Sequence, residues 1–234
     1  SLLIYHDPRA LRRWRRFHRT ILSPGDLVFD VGAHVGTRAR AMRAAGARVV
    51  AIEPQQPFAA FLRRTLPRDI TLLETAVGAA EADAVMAVST RHPTVSSLSA
   101  DFVAGGRTAA GFEHVRWDRV QPVRVTTLDA LIARFGPPAY IKIDVEGAEL
   151  AVLEGLSRRV PLISVEYLPA FPHLAHRLVE RLAAAGLERF NIVAGETGGF
   201  LWEDWRDAAT VKAWLGTLPL DATSGDLFAR AGRP

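Results

Sequence analysis

Short apolar runs alternate with longer amphipathic segments along most of this chain. Mostly apolar runs of four to six residues, bounded by turn residues, predict buried strands, and apolar residues spaced three and four apart predict helices. The predicted strands cover residues 27–31, 48–52, 70–75, 140–143 and 162–165. The predicted helices cover residues 37–45, 57–66, 128–134 and 172–185, and one more ends at residue 156. Strands that alternate with helices at this spacing are typical of a parallel α/β sheet.

The pattern is less regular in the middle and at the end of the chain. Residues 84–89 and 123–125 predict further strands, and between them residues 90–119 are polar, contain glycine and show no clear periodicity. Because a long irregular segment inside a compact domain usually serves binding, we expect this one to act as a lid or substrate loop. The tail predicts a strand near residue 192, a helix over 207–215 and a last strand at 227–229.

Residues 1–22 predict a basic amphipathic helix that packs on a single domain formed by residues 23–234. Its apolar positions, at helical spacing, are Leu11, Trp14, Phe17 and Ile21. Its basic positions are Arg9, Arg12, Arg13, Arg15, Arg16 and Arg19. We expect these arginines to face solvent, and contact with an anionic membrane surface or an acidic substrate is the alternative. Nucleic acid is not an expected partner, because no recognition motif accompanies the charge.

The composition limits the class of protein. With 234 residues, of which 49% are hydrophobic, the chain is long enough to bury a sizeable core. It has no cysteine, which excludes disulfides, thiolate zinc sites and a cysteine nucleophile. No apolar run reaches the roughly 18–20 residues of a membrane span and no signal peptide opens the chain, so we expect a cytoplasmic protein. The sequence leaves the oligomeric state open.

The first candidate site is a glycine turn after the first predicted strand. It runs Asp30-Val31-Gly32-Ala33-His34-Val35-Gly36 and opens the helix that begins at Thr37. Glycine lets the backbone approach a ligand closely, and Glu53, at the end of the second strand, is placed to accept the hydroxyls of a ribose. NAD and S-adenosylmethionine both contain that ribose. The middle glycine of the dinucleotide fingerprint is absent, and Asp30 suits an ammonium group better than a pyrophosphate, so S-adenosylmethionine is favoured.

The second candidate site is the string Ile141-Lys142-Ile143-Asp144-Val145-Glu146-Gly147-Ala148-Glu149-Leu150. Asp144 and Glu166 end neighbouring strands, and Glu146 opens the helix after Asp144. A carboxylate here could accept the proton of a hydroxyl or hold the acceptor in line, and Asp144 is the first candidate. Asp144 and Glu166 could instead bind a divalent cation such as Mg²⁺. Lys142, inside the strand, either touches the substrate or forms a buried ion pair.

Five stretches, in this order, resemble the FkbM family of S-adenosylmethionine-dependent methyltransferases. They are Val28-Phe29-Asp30-Val31-Gly32-Ala33-His34-Val35-Gly36, Ala51-Ile52-Glu53-Pro54, Thr75-Ala76-Val77-Gly78, Val125-Thr126-Thr127-Leu128-Asp129 and Ile141-Lys142-Ile143-Asp144-Val145-Glu146-Gly147-Ala148-Glu149. The resemblance implies a class I methyltransferase fold, which is Rossmann-like. Such a fold has a seven-stranded, mostly parallel sheet with helices on both faces and a reversed last strand.

The resemblance also implies roles for individual residues. The positions that would contact the methionine part of the cofactor are Asp30, Gly32 and Gly36. Glu53 would hold the ribose, and Ala76 and Val77 would flank the adenine. The other implied cofactor positions are Ala33, His34, Thr37 and Pro54, and His34 stands where many members have asparagine. Ser96, Ser97 and Leu98 fall where the family often carries serines before the substrate region.

The function implied by the resemblance is O-methylation. The acceptor would be a hydroxyl of a small molecule, a sugar or glycan, or another natural product. Two alternatives of different classes stay open at this point: an NAD-dependent oxidoreductase and a non-catalytic nucleoside-binding module.

Overall fold

The computed structural model describes residues 8–109 and 111–232. Its helices are α1 Pro8–Ile21, α2 Thr37–Ala44, α3 Gln56–Thr65, α4 Ala100–Gly106, α5 Leu128–Phe135, α6 Glu149–Glu154, α7 Pro172–Ala184 and α8 Ala208–Leu215. Its strands are β1 Leu27–Val31, β2 Arg48–Ile52, β3 Thr71–Leu73, β4 Ala76–Val77, β5 Ala82–Val88, β6 Arg119–Thr126, β7 Tyr140–Ile143, β8 Leu162–Tyr167, β9 Arg189–Ala194 and β10 Gly225–Arg230.

A seven-stranded sheet in the order β3-β2-β1-β7-β8-β10-β9 forms the centre of the domain. The β1, β2, β3, β7 and β8 strands pair in parallel, and β10 runs antiparallel between β8 and β9. This is the predicted class I methyltransferase arrangement, with the predicted reversed strand at β10. Chain connections leave β1 and β7 in opposite directions, so a crevice opens at the carboxyl ends of these two strands, where α/β sheets bind ligands.

A second, three-stranded sheet in the order β4-β6-β5 lies outside the central one. The predicted strand at 123–125 is the end of the longer β6, which pairs antiparallel with β5 over its whole length. Val85 and Val120, on the outer face of this sheet, are 60% and 71% exposed, so apolar residues do not mark the buried face alone. The length of these strands is therefore set by their pairing with each other rather than by their hydrophobic pattern.

The segment predicted to be irregular contains two helical turns. A 3-10 helix covers Pro93–Val95, and α4 follows at Ala100–Gly106. The α4 helix starts because the Ser99 hydroxyl accepts a hydrogen bond from the Phe102 N–H at 3.1 Å, while the Phe102 ring is buried. The expectation of an irregular segment was wrong for these residues, since a helix of two turns shows little periodicity in sequence.

The α1 helix packs its apolar face on α2. Trp14, Phe17 and His18 are buried, and the Arg38 guanidinium of α2 lies 2.9 Å from the centre of the Trp14 ring. The indole N–H of Trp14 donates to Glu196 at 2.6 Å. The arginines of α1 that are exposed are Arg9, Arg12, Arg15, Arg16 and Arg19.

Within residues 8–109 and 111–232, no helix combines the length and apolar character required to span a membrane.

Candidate active site

A cavity lies at the carboxyl ends of β1, β2 and β7 and encloses about 870 Å³ of space, part of it open to solvent. Residues 93–106, which we call the covering segment, close one side of it. The lining residues are Val31, Gly32, His34, Ile52, Glu53, Pro54, Gln55, Phe58, Thr75, Ala76, Val77, Met86, Pro93, Thr94, Ser96, Leu98, Asp144, Val145, Glu146, Ala148 and Glu166. Both sequence motifs therefore meet in one cavity, because the parallel strands that carry them end at the same edge of the sheet.

The glycine turn brings two segments of backbone into contact. Gly32 has a φ of +82°, and a Cβ atom at this position would collide with the carbonyl oxygen of Asp144. No residue with a side chain fits there, so the turn presents bare backbone to the cavity. His34 also adopts a left-handed conformation, with a φ of 52°. Histidine, like asparagine, tolerates that conformation better than most residues.

Glu53 is fixed at the end of β2 by two backbone groups. Its carboxylate oxygens accept hydrogen bonds from the N–H groups of His34 at 2.7 Å and Gln55 at 2.9 Å. The residue is 5% exposed, and burial raises the pKa of Glu53 to about 7 despite these hydrogen bonds. Each oxygen keeps a free lone pair, so the side chain can still accept the hydroxyls of a ribose.

The His34 ring forms one wall of the cavity together with Phe58. The two ring centres lie 4.0 Å apart in an edge-on arrangement. Burial lowers the pKa of His34 to about 4, so the imidazole is neutral at physiological pH. Phe58 was not predicted as a site residue, because an apolar position in an amphipathic helix ordinarily belongs to the core.

Three carboxylates face the cavity from neighbouring elements. Asp144 follows β7, Glu166 is in β8, and Glu146 is in the turn before α6. One oxygen atom of each lies within 4.8 Å of the other two. The Oε2 atom of Glu166 is buried and has no hydrogen-bond partner among the described residues. The structure thus brings together the three acidic residues that the sequence placed at strand ends.

The charges of these carboxylates differ because only one of them has a cation beside it. The Lys142 ammonium donates to Asp144 Oδ2 at 2.7 Å. Burial would raise the pKa of Asp144, but this ion pair outweighs burial and keeps the pKa below its usual value. Burial, and after it repulsion from Asp144, raises the pKa of Glu146 and of Glu166 well above the usual value. Asp144 is therefore the carboxylate that stays ionised.

Two predicted site residues lie behind the cavity rather than in its lining. Asp30 and Lys142 are adjacent in the β1–β7 register, and both are buried. Side chains alternate along a strand, so Asp30 points away from the face on which Val31 lines the cavity. Both Asp30 oxygens lack a hydrogen-bond partner among the described residues, and burial raises the pKa of Asp30 to about 6. Direct contact between Asp30 and a ligand is therefore not part of this geometry.

The other predicted positions divide into two groups. Gly32, His34, Glu53, Pro54, Ala76 and Val77 line the cavity, and Ala33, Gly36 and Thr37 are not among its lining residues. The sequence did not single out Gln55, Met86, Pro93 or Thr94, which do line it. A single apolar or small polar residue does not by itself indicate a binding site. In the sequence, only the closeness of these residues to the motifs or to the irregular segment suggested a role in the site.

The lining fits S-adenosylmethionine better than a dinucleotide. Among the described residues that line the cavity there is no lysine or arginine, whereas there are four carboxylates. A pyrophosphate would find no cation among these lining residues, while a sulfonium ion would be attracted by the ionised Asp144. An adenosine-containing ligand would meet bare backbone at Gly32 and a fixed carboxylate at Glu53.

Comparison with known proteins agrees with the sequence motifs. The family model of the methyltransferase FkbM domain matches residues 30–215. None of the curated proteins matches the chain. The site described above lies wholly within the matched range.

Solved structures with a similar fold include several methyltransferases. A precorrin-6y C5,15-methyltransferase from Geobacter metallireducens shares 12% identity, with a TM-score of 0.46, over 96% of this chain and 86% of its own. A putative RNA methyltransferase from Pyrococcus horikoshii shares 10% identity, with a TM-score of 0.48, over 98% and 87%. A predicted O-methyltransferase from Agrobacterium tumefaciens shares 15% identity, with a TM-score of 0.44, over 94% and 81%.

Proposed function

This chain belongs to the FkbM family of S-adenosylmethionine-dependent methyltransferases, and on that premise we propose that it methylates a hydroxyl oxygen of a small molecule, sugar or other natural product. The observation that carries the proposal is the convergence of Asp144, Glu146 and Glu166 beside a nucleoside-sized cavity. Oxygen acceptors carry a proton that must leave, and the ionised Asp144 faces the cavity where it can take that proton.

The cofactor half of the cavity is assigned to the residues after β1 and β2. Glu53 would hold the ribose hydroxyls, Ala76 and Val77 would flank the adenine, and the backbone at Gly32 would lie against the methionine part. The His34 and Phe58 rings would exclude water from one side of the nucleoside. When bound, S-adenosylmethionine supplies a methyl group that is electrophilic because it is attached to a positively charged sulfur.

The acceptor half is assigned to the three carboxylates and the covering segment. Asp144 is held ionised by Lys142, so it would orient the acceptor by accepting its hydroxyl hydrogen bond. Glu146 and Glu166 face the same position, and Asp144, as the ionised carboxylate, would receive the proton as the oxygen–methyl bond forms. Holding the acceptor oxygen in line would provide most of the acceleration, and proton removal would add about 10²–10⁴-fold.

A divalent cation is the second candidate occupant of these carboxylates. Three oxygen ligands from separate side chains would suit Mg²⁺, which could then bind the acceptor oxygen and lower the pKa of its hydroxyl. The two mechanisms differ in one measurable respect, since only the second one is lost when the metal is chelated.

The first experiment identifies the cofactor. Isothermal titration calorimetry with S-adenosylmethionine, S-adenosylhomocysteine and NAD should show micromolar binding of the first two and none of NAD. Glu53→Ala should weaken both sulfur nucleosides at least tenfold, while Asp83→Ala, an exposed carboxylate in the β5 strand, should leave them unchanged. Binding of NAD alone would contradict the proposal and favour the oxidoreductase.

The second experiment tests methyl transfer. Release of S-adenosylhomocysteine is measured over a panel of hydroxylated acceptors, with Mg²⁺ or with EDTA. With an acceptor that responds, Asp144→Asn should lower kcat by about 10²–10⁴-fold and change the affinity for S-adenosylhomocysteine, which carries no sulfonium charge, less than threefold. Cofactor binding without turnover on any hydroxyl, amine or carbon acceptor would favour the non-catalytic binding module instead.

A further inference from the structure

The turn that carries Glu146 has a backbone conformation that needs support. Glu146 has a φ of 55° and Gly147 a φ of 89°, so two consecutive residues are left-handed. For a residue with a long side chain this conformation costs about 1–2 kcal/mol. The conformation directs the Glu146 carboxylate toward Asp144 and Glu166, and without external contacts the turn would relax into a more common geometry.

Glu149 supports this turn from within the domain. The residue is 1% exposed, and its Oε1 atom accepts hydrogen bonds from the N–H groups of Val145 at 3.1 Å and Gly147 at 3.2 Å. These bonds fix the amide groups of the turn. They leave the carbonyl group of Glu146 to be satisfied from the other side.

The covering segment supplies the contact on that other side. The Ser97 hydroxyl donates to the carbonyl oxygen of Glu146 at 2.6 Å, and Ser97 is 2% exposed. The same hydroxyl oxygen accepts the Ser99 N–H at 2.9 Å, and the Ser97 backbone exchanges two 2.9 Å hydrogen bonds with Ala87 of β5. Ser97 thus joins the outer sheet, the covering segment and the turn at one point.

A second contact from the covering segment reaches the next residue of the turn. A Cβ atom at Gly147 would lie 2.5 Å from ring carbons of Phe102, so the ring packs directly on the Gly147 backbone. Phe102 is buried in α4 and packs on Phe171, with the ring centres 4.9 Å apart. The two left-handed residues are therefore both covered by the segment that closes the cavity.

From these contacts we propose that Ser97 is a positioning residue, through which the covering segment holds the Glu146 turn in its active-site conformation. Closing the cavity and placing the Glu146 carboxylate are then a single event. An active site with the covering segment displaced lacks one of its three carboxylates. The contacts themselves belong to the folded chain and do not depend on the proposed function. The proposal rests on that function only where it says that placing the Glu146 carboxylate matters for catalysis.

The test compares Ser97→Ala with Ser97→Thr, which keeps the hydroxyl, and with Ser96→Ala as a matched control. Ser96 is a buried neighbour whose hydroxyl bonds to Pro93 and not to the turn. Hydrogen exchange of the Val145 and Gly147 amides is measured on the whole protein without ligand. We expect Ser97→Ala to accelerate exchange at least tenfold, and Ser97→Thr and Ser96→Ala to change it less than threefold.

A spectroscopic measurement separates positioning from general loosening of the fold. The side-chain ¹³Cδ resonance of Glu146, assigned with Glu146→Gln, should shift in Ser97→Ala and return in Ser97→Thr. Unchanged exchange and an unchanged Glu146 resonance in Ser97→Ala would overturn the proposal, as would equal changes in Ser96→Ala. Titration with S-adenosylhomocysteine is run in parallel, and its failure would count against the proposed function without affecting this result.

Discussion

Individual residues of this site differ in protonation because they differ in burial and in what lies beside them. Asp144 and Lys142 form an ion pair, whereas Glu53 is buried with only backbone N–H groups as partners. His18, in α1, is 1% exposed and its Nδ1 atom has no partner among the described residues. These environments lead to two predictions that depend on pH.

Binding of S-adenosylhomocysteine should strengthen as the pH rises, because of Glu53. Without ligand its pKa is raised to about 7, and ribose hydroxyls that donate to it favour the ionised form. A proton must therefore be released on binding below pH 7, and the affinity should rise about tenfold between pH 6 and pH 8. Calorimetry at both pH values checks this. Glu53→Gln should bind more weakly and without this dependence, and an equal slope in that variant would contradict the assignment.

The fold should lose stability in mild acid through His18. Burial, with the nearby positive charges of Arg38 and Lys142, lowers the pKa of His18 to about 3 in the folded state. The unfolded chain therefore binds one more proton between pH 3 and pH 6.5, and stability falls as the pH drops through that range. Between pH 7.5 and pH 5 the free energy of unfolding should fall by about 2 kcal/mol less in His18→Phe than in the unsubstituted protein. Urea titrations at the two pH values measure it, and an unchanged difference would show that His18 is not the group responsible.

At the scale of elements, the position of each helix follows from a few buried side chains. The α1 helix buries Trp14 and Phe17 against the domain, and these two side chains account for most of its apolar attachment. The α4 helix depends on its Ser99 cap and on Phe102. Both helices lie outside the central sheet. Aromatic contacts join α1 to Tyr140 of β7 and Phe228 of β10, whereas Phe102 of α4 packs on Phe171, ahead of α7.

Truncation of Trp14 should destabilise the whole domain. Its side chain is 1% exposed, packs on Phe17 and Arg38, and donates to Glu196. Trp14→Ala leaves a cavity, so we expect a loss of about 3–5 kcal/mol in the free energy of unfolding. The control is Arg15→Ala, an exposed neighbour that should change stability by less than about 0.5 kcal/mol. Equal effects of the two substitutions would mean that α1 does not pack as described.

At the scale of the whole molecule, ligand binding should stabilise the fold, because the cavity collects residues from distant parts of the chain. Its walls come from β1, β2, the covering segment, the turn after β7 and β8. A ligand that contacts all of these binds the folded state and not the unfolded chain. Stabilisation by the correct ligand is therefore a test of the assembled site.

S-adenosylhomocysteine at a hundred times its dissociation constant should add about 2.7 kcal/mol to the free energy of unfolding. For a chain of this length the melting temperature should rise by about 5–10 °C. Differential scanning fluorimetry measures the shift, with NAD at the same concentration as the comparison. A shift with NAD and none with S-adenosylhomocysteine would contradict the cofactor assignment.

Hydrophobic pattern and motif spacing were enough to predict the central sheet and the two motifs of the site. Buried parallel strands read as continuous apolar runs, so β1, β2, β7 and β8 were predictable to within about two residues at each end. The Asp30–Gly36 turn and the string from Lys142 to Glu149 were recognisable because their chemistry needs particular residues at fixed spacing.

Which of these residues face the cavity, and which segment covers it, depends on contacts that form only in the folded chain. Strand alternation turns the Asp30 side chain away from the cavity lining, which the motif alone does not reveal. The contact from Ser97 to Glu146 joins residues 49 positions apart through a pairing with β5 that leaves no periodic trace. The hydrophobic pattern of a strand or helix reflects which of its own residues are buried. The covering of the site, in contrast, results from contacts between segments that are distant in sequence.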